Sequence, residues 1–285
     1  MSKPSRPLRT RSMTKILVDG LGYGESARWH DGRLWLANWG TGEVLAIGGD
    51  GEREVMVTVP PDTIPFSIDW MPDGTLLVIA GATLFQLKDD ELIPYADLAG
   101  LADLFNEIVV DSRGNVFVNG GWFDFSRPGV VVVVTPDGPP RQVADGIKFG
   151  NGMAITPDDS TLIVAESHGQ CLTAFDIAAD GSLSGRRSWA DLEDGHPDGI
   201  CLDAEGAVWY ADVPAQRCVR VREGGEVLET VDLDRGAFSC MLGGPDGTTL
   251  YMLSAQWRGF KHMLSPERTG LVSTVEVSVP HAGRP

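Results

Sequence analysis

The chain has 285 residues and a formal net charge of −17, from 40 acidic and 23 basic side chains. This charge repels phosphate backbones and anionic lipid surfaces, so we expect neither nucleic acid nor a membrane as a partner. The 35 glycines, the 18 prolines and the lack of a useful helix-period apolar stretch favour an all-β fold. One domain of this length is typical of propellers and barrels.

The chain begins with a basic segment, residues 1–14, that is rich in Ser, Pro and Arg. No apolar run follows it that could serve as the core of a signal peptide or as a membrane span. We therefore expect a disordered tail and a cytoplasmic protein. A transit peptide is the minor alternative.

From Glu25 onward the sequence repeats a unit made of a polar residue, a short strand, a turn and an apolar strand. Successive copies start 39 to 47 residues apart, which matches a four-stranded propeller blade of about 40 to 50 residues. The copies start at Glu25, Ser67, Asn106, Asn151, Asp198 and Ser239. We predict a six-bladed β-propeller with four-stranded antiparallel blades over residues 15–280, followed by a short C-terminal tail, residues 281–285.

The turns inside the copies suggest how each blade begins. Asp31-Gly32, Asp73-Gly74 and Asp246-Gly247 predict two-residue hairpins between the first and second strands, because these residue types accept the positive φ that such hairpins need. The second strands, such as LLVIAG and VWYADV, are apolar on both faces. This pattern is expected where a sheet packs between two neighbouring blades.

Two strand-like segments flank the six copies. KILVDG, residues 15–20, precedes the first copy, and GLVSTVEVSV, residues 270–279, follows the last. Their pairing would close the ring and remove an exposed sheet edge. We therefore predict that the N- and C-terminal strands share one blade.

The first residue of each copy lies six or seven places before the turn, so all six occupy equivalent positions on the innermost strand. In a propeller these positions converge on the central channel. Their two carboxylates, two amides and two hydroxyls form a hard oxygen set, which favours Ca²⁺ or Mg²⁺. Calcium fits better because it tolerates irregular coordination, and Mg²⁺, Mn²⁺ and Zn²⁺ stay open as alternatives.

Polar residues also line water-filled channels in propellers generally. This plainer role suits Ser67 and Ser239 better than the ion does. It suits Glu25 and Asp198 less, because two carboxylates that face each other across a narrow channel repel unless a cation or a proton intervenes.

Three segments carry a family resemblance: GESARWHDGRLWLANWGTGEVLAI, FGNGMAITPDDSTLIVAES and HPDGICLDAEGAVWYADV. Through them the chain resembles the SMP-30, gluconolactonase and luciferin-regenerating-enzyme family of calcium-dependent lactonases over nearly its whole length. The resemblance implies that Glu25, Asn151 and Asp198 are metal ligands. It also implies that Asn106 completes the set or contacts the substrate through a water molecule on the metal.

One departure from the family bears on the substrate. Sugar lactonases of the family tend to have an arginine two residues before the third-blade asparagine and an aspartate after it, whereas this chain has Leu104 and Glu107. Leucine offers only apolar contact, so we expect a lactone or ester less polar than a sugar lactone. Insertions that start at Trp122 and Trp257 are long enough to cover the channel mouth. The predicted substrate contacts are Asn106, Leu104, Glu107, Trp122 and His196.

The predicted reaction is hydrolysis of a small lactone or ester, in which the ion polarises the carbonyl group. Asp198 is the predicted general base. Because bonding to a dication lowers the basicity of a carboxylate, Glu107 and a hydroxide on the metal stay open as alternatives. A phosphotriesterase-like hydrolase on the same site and a non-catalytic interaction propeller with a structural ion are the competing functions.

Overall fold

A computed structural model describes residues 8–9, 14–60, 63–122, 127–263 and 267–283. Most of the predicted basic tail lies outside these residues, although the strand β1 (Leu8–Arg9) pairs in parallel with an outer strand of the fifth blade. Within the described residues the only helix is a 3-10 turn, Phe260–His262. No helix in that part of the chain has the length and hydropathy needed to cross a membrane.

Six antiparallel sheets of four strands form the body of the protein, which confirms the predicted six-bladed β-propeller. From the axis outward, blade 1 contains β3 (Gly24–His30), β4 (Arg33–Asn38), β5 (Glu43–Ile47) and β6 (Arg53–Thr58). Blade 2 contains β7 (Phe66–Trp70), β8 (Leu76–Ala80), β9 (Thr83–Lys88) and β10 (Glu91–Asp97). Blade 3 contains β11 (Leu104–Val110), β12 (Val116–Gly121), β13 (Gly129–Val134) and β14 (Arg141–Ile147). Blade 4 contains β15 (Gly150–Ile155), β16 (Thr161–Glu166), β17 (Cys171–Ile177) and β18 (Leu183–Asp191). Blade 5 contains β19 (Pro197–Leu202), β20 (Val208–Asp212), β21 (Arg217–Val221) and β22 (Val227–Asp232). Blade 6 contains β23 (Gly236–Gly243), β24 (Thr249–Ala255), β25 (Gly270–Glu276) and β2 (Lys15–Leu21).

The ring closes as predicted. The N-terminal strand β2 pairs antiparallel with β25, so that Lys15 lies opposite Thr274 and Leu21 lies opposite Gly270. The innermost strands contact one another around the axis, and β23 of the last blade contacts β3 of the first. This pairing leaves no gap between the last blade and the first.

Burial decreases from the axis outward, which explains the apolar pattern of the second strands. Strands β8 and β20 are buried along their whole length, whereas β6 and β18 are mostly exposed or half-buried. Each hydrophobic cluster joins side chains of neighbouring blades, for example those of blades 2 and 3 or of blades 4 and 5. The core is therefore a series of sheet-to-sheet contacts around a polar axis.

The predicted hairpins form at all three turns, but the loop has two residues at only one of them. At Asp31-Gly32 both residues have positive φ, 49° and 71°, as a two-residue hairpin requires. At Asp73-Gly74 and Asp246-Gly247 only the glycines have positive φ, 87° and 74°. A proline precedes each of these two aspartates, Pro72 and Pro245. Its fixed φ favours a type I turn that the glycine then completes, which gives a longer loop.

Candidate functional site

The six predicted axial residues all lie on the innermost strands of their blades. In blades 1, 3, 4, 5 and 6 the pairing with the second strand shifts by one residue at or beside this position, which is a β-bulge. Blade 2, which carries Ser67, pairs without a shift. Because a bulge redirects the side chain that it carries, these bulges explain how strands packed between blades present polar groups to the axis.

Glycines directly follow Asn151 and Asp198 in the sequence, and the packing of the inner strands requires them. A Cβ atom on Gly152 would lie 2.6 Å from the Asp198 carbonyl oxygen. A Cβ atom on Gly199 would lie 2.8 Å from the Cα atom of Ser239. The strands of blades 4, 5 and 6 therefore approach each other more closely at the axis than any side chain would permit.

A cavity of about 820 Å³ opens at this end of the axis. Four of the six axial residues line it: Glu25, Asn106, Asn151 and Asp198. Ser67 and Ser239 are buried and lie outside its lining. The structure thus brings together the four residues predicted to hold a metal, while their role as ligands stays a prediction.

A chain of hydrogen bonds fixes the two axial amides. The Asn106 Nδ2 atom donates to Asn151 Oδ1 at 3.1 Å, and Asn151 Nδ2 donates to Ser167 Oγ at 3.3 Å. The Ser167 hydroxyl in turn donates to the carbonyl oxygen of Pro197 at 2.6 Å, one residue before Asp198. Ser167 therefore couples blade 4 to blade 5 at the axis. Its role was not predicted from the sequence, although a hydroxyl at the end of the apolar segment TLIVAES was the available signal.

Asn119 is a second supporting residue that the sequence analysis missed. It is fully buried on β12, where its Nδ2 atom donates to the Asn151 carbonyl oxygen and its Oδ1 atom accepts from the Glu107 backbone N–H at 3.1 Å. A lone amide in the apolar run VFVNGG was the available signal. Asn119 therefore fixes the backbone of Asn151 and the backbone of Glu107, the residue next to Asn106.

The two carboxyl groups of the cavity are buried, and burial raises the pKa of each. Burial raises the pKa of Glu25 well above its usual value, and the nearby Asp198 and Glu107 carboxylates raise it further. Burial also raises the pKa of Asp198, to which Glu107 and Asp212 contribute. The Oδ1 atom of Asp198 is buried and has no hydrogen-bond partner among the described residues.

These observations show that the residues present would suit a divalent cation. The described residues contain no cluster of three or more His, Cys, Asp or Glu side chains that could hold a metal. The donor set is instead two carboxylates and two amides, all with oxygen donors, which is the set that calcium prefers. A cation would offset the burial of the two negative charges and would satisfy the unpartnered oxygen of Asp198.

Glu107 does not line the cavity. Its Oε1 atom accepts from the Arg28 guanidinium at 3.0 Å, from the Ser26 hydroxyl at 3.0 Å and from the Ile108 N–H at 3.1 Å. This position directs the carboxylate toward Arg28 and Ser26 rather than into the cavity. It therefore does not support the predicted contact of Glu107 with a substrate, nor its use as the base.

Asp69 belongs to the same buried group of charges. Its Oδ1 atom lies 4.0 Å from the Arg28 Nε atom, and its Oδ2 atom accepts from the Val110 N–H at 2.8 Å. Burial raises the pKa of Asp69 to about 6, although Arg28 opposes the shift. One arginine thus serves two buried carboxyl groups.

Three of the predicted substrate contacts form part of the cavity wall: Leu104, Trp122 and His196. The two predicted insertions also reach the wall, through Trp122 and Trp257. Residues 123–126 and 264–266 of these insertions lie outside the described residues. The wall of the cavity is therefore largely apolar, and the four axial residues that line the cavity form its polar floor.

Comparisons with known proteins agree with this architecture. The sequence profile of the SMP-30/gluconolactonase/LRE-like region matches residues 23–256. Regucalcin of Gallus gallus is 32% identical over 206 residues, which cover 66% of this chain and 68% of that protein. The 6-deoxy-6-sulfogluconolactonase of Pseudomonas putida is 27% identical over 64% of each chain. Regucalcin of Xenopus laevis is 34% identical, and the match spans 54% of its length.

Solved structures share the fold. A luciferin-regenerating enzyme superposes with a TM-score of 0.77 over 95% of this chain and 97% of its own, at 18% identity. A calcium-binding regucalcin from Agrobacterium tumefaciens superposes with a TM-score of 0.75 over 95% of both chains, also at 18% identity. At these identities the similarity shows a common propeller.

Proposed function

Because the chain belongs to the SMP-30/gluconolactonase/LRE-like family, we propose that it is a metal-dependent hydrolase, with calcium as the ion, that opens a small lactone or a related ester. The name of the 6-deoxy-6-sulfogluconolactonase supports the reaction, and that of the calcium-binding regucalcin with the same fold supports the ion. A cytoplasmic location is part of the proposal, and fractionation of cells that express the chain tests it.

The observation that carries the proposal is the buried, unpartnered Oδ1 atom of Asp198 on the floor of the cavity. An unpartnered carboxylate oxygen is costly inside a protein and marks a place where a ligand or an ion completes the structure. Glu25 adds a second buried carboxyl group to the same floor. The amides of Asn106 and Asn151 add neutral oxygens that a hard cation accepts.

In this proposal Glu25, Asn151, Asp198 and Asn106 would hold the ion, which when bound would supply positive charge that polarises the ester carbonyl. Asp198 then takes a proton from a water molecule as that water attacks the carbonyl carbon. The ring C–O bond breaks, and Asp198 returns the proton to the departing alkoxide oxygen, which leaves a hydroxy acid. Asn106, fixed by its hydrogen bond to Asn151, holds the ester group over the floor.

The cavity wall supports a substrate less polar than a sugar lactone. Leu104 lines the cavity on the blade that carries Asn106. A sugar ring needs hydrogen-bond partners for each hydroxyl, and leucine provides none. An apolar ring fits this wall without leaving buried polar groups unpaired.

The test combines a substrate panel with two charge-removing variants. Metal-stripped protein is assayed with and without calcium on γ- and δ-lactones of graded polarity, on an aryl ester and on a phosphotriester. Asp198→Asn should remain at least 100-fold slower than the parent even at saturating calcium, because it removes the base. Glu25→Gln should instead weaken calcium binding and recover much of its turnover in excess calcium.

Three outcomes would change the proposal. Near-parental turnover of Asp198→Asn at saturating calcium would reduce Asp198 to a ligand. Faster hydrolysis of the phosphotriester than of every lactone would favour the phosphotriesterase alternative. No turnover of any compound, with calcium bound, would favour a non-catalytic propeller whose ion is structural.

A further inference from the structure

The charged side chains of the cavity are sorted by sign. Among the described residues of the lining, the acidic groups are Glu25 and Asp198, both on the floor, and the wall above them carries the cationic groups Arg127 and Lys148. This arrangement contrasts with a chain whose net charge is −17. A wall that is cationic in an otherwise acidic protein indicates a local requirement for positive charge.

Contacts on the wall position the two residues that carry these cations. The Arg127 guanidinium lies 3.8 Å from the centre of the Trp122 ring, so stacking orients its plane. The Lys148 backbone N–H donates to Glu166 Oε2 at 2.7 Å. This bond fixes the backbone of Lys148 next to the innermost strand β15. Neither side chain forms an ion pair with a carboxylate of the described residues.

The opposite side of the cavity is apolar. Trp39 of blade 1, Ile64 before blade 2, and Phe238 and Trp257 of blade 6 line it. Trp39 and Phe238 belong to one hydrophobic cluster, against which Ile64 packs. Blades 3 and 4, which carry the two cations, face blades 6 and 1 across a six-bladed ring. The cavity therefore has a cationic side, an apolar side and a carboxylate floor between them.

We propose that the substrate is an amphipathic anion: a lactone or ester whose apolar, preferably aromatic body bears one carboxylate or a comparable oxyanion. This inference rests on the proposed hydrolase function and specifies its substrate class. The apolar body lies against the side formed by Trp39, Phe238 and Trp257, and the anion lies between Arg127 and Lys148. This orientation leaves the ester carbonyl above Asn106 and Asp198.

The chemistry of the two sides explains why both parts are needed. A guanidinium and an ammonium recognise an oxyanion through charge-assisted hydrogen bonds, whereas a neutral hydroxylated ring gains little from them. The body must be apolar because the opposite wall offers aromatic faces and almost no hydrogen-bond partners. The anionic group also keeps a distance from the floor carboxylates, which repel it.

The test is a binding experiment that does not depend on turnover. Binding of 2-naphthoate is compared with binding of 2-naphthamide, which has the same shape without the charge, through quenching of the cavity tryptophans. The titrations are done in EDTA, so that no metal attracts the carboxylate. The parent should bind naphthoate about tenfold more tightly than naphthamide, the size of one good charge-assisted contact after allowance for solvent exposure.

Matched variants locate the preference. Arg127→Gln/Lys148→Gln should reduce it to twofold or less and leave naphthamide binding unchanged. Arg53→Gln/Lys88→Gln removes the same charge from the outer strands β6 and β9 and should keep the parental preference. Equal binding of the two ligands by the parent, or equal loss in both double variants, would overturn the inference.

Turnover separates this inference from the proposed function. With calcium present, a carboxylated phthalide should be hydrolysed with a KM about tenfold below that of its carboxamide, and only the Arg127→Gln/Lys148→Gln variant should lose this difference. Hydrolysis of both phthalides at equal KM would contradict the anion site and leave the lactonase proposal standing. Tight naphthoate binding with no hydrolysis of any lactone would support the anion site and contradict the lactonase proposal.

Discussion

Gly199→Ala tests the close approach of the inner strands that brings the axial residues together. The added Cβ atom would lie 2.8 Å from both the Cα and the Cβ atom of Ser239 in the neighbouring blade. Since ordinary contacts to a Cβ atom are 3.4 Å or longer, strands β19 and β23 must move apart by more than half an ångström. Overpacking of this kind costs about 1 to 3 kcal/mol, and we expect the upper value because backbone atoms are involved.

The assay is urea-induced unfolding of the metal-free protein, with Gly49→Ala as the control. Gly49 has no atom within 4 Å of the added Cβ and needs no positive φ. Gly49→Ala therefore lowers the conformational entropy of the unfolded chain as Gly199→Ala does, but it adds no strain to the folded protein. Gly199→Ala should lower the free energy of unfolding by about 3 kcal/mol relative to this control and should weaken calcium binding, because Asp198 moves with the strand. A difference from the control below about 0.5 kcal/mol would refute the packing argument.

Three further variants test separate parts of the site. Leu104→Arg should lower the ratio of kcat/KM for apolar lactones to kcat/KM for gluconolactone about tenfold. A parent with the higher kcat/KM for gluconolactone would contradict the proposed apolar substrate. Ser167→Ala should weaken calcium binding about tenfold in calorimetry, because the Asn151 amide loses its orienting hydroxyl, and unchanged affinity would exclude that role. For Asp69, the folded-state pKa of about 6 exceeds the value of about 3.9 in unfolded chains. The parent should therefore lose about 3 kcal/mol of stability from this group as pH rises from about 4 to about 6, and Asp69→Asn should lack that loss in urea titrations at stepped pH. Identical pH slopes for the two proteins would contradict the raised pKa of Asp69.

The sequence predicted the blades because their signal is local and repeated. Each copy carries a polar residue, a turn and a buried second strand in one register, so six weak patterns support each other and place Glu25, Asn106, Asn151 and Asp198 on equivalent strands. Ring closure followed from the same logic, since an unpaired edge between residues 15–20 and the last blade would be unstable.

The parts that the sequence did not predict depend on contacts between blades. The bulges that redirect the axial side chains are set by pairing with the second strand and by the fit of Gly152 and Gly199 against neighbouring backbones. The placement of Glu107 was missed because the partner of its carboxylate, Arg28, is 79 residues away in the sequence. Ser167 was overlooked for the same reason, because it acts through the carbonyl group of Pro197 on the next blade.

In the proposed function, an ion held by Glu25, Asn151 and Asp198 makes this propeller a lactone hydrolase. The most direct measurement titrates EDTA-stripped protein with calcium and follows binding by calorimetry and lactone hydrolysis by acid release in the same buffer. Hydrolysis should rise from the background rate with the same midpoint as the binding of one calcium ion per chain. Full hydrolysis in EDTA, or saturation of the site without any rise in hydrolysis, would contradict it.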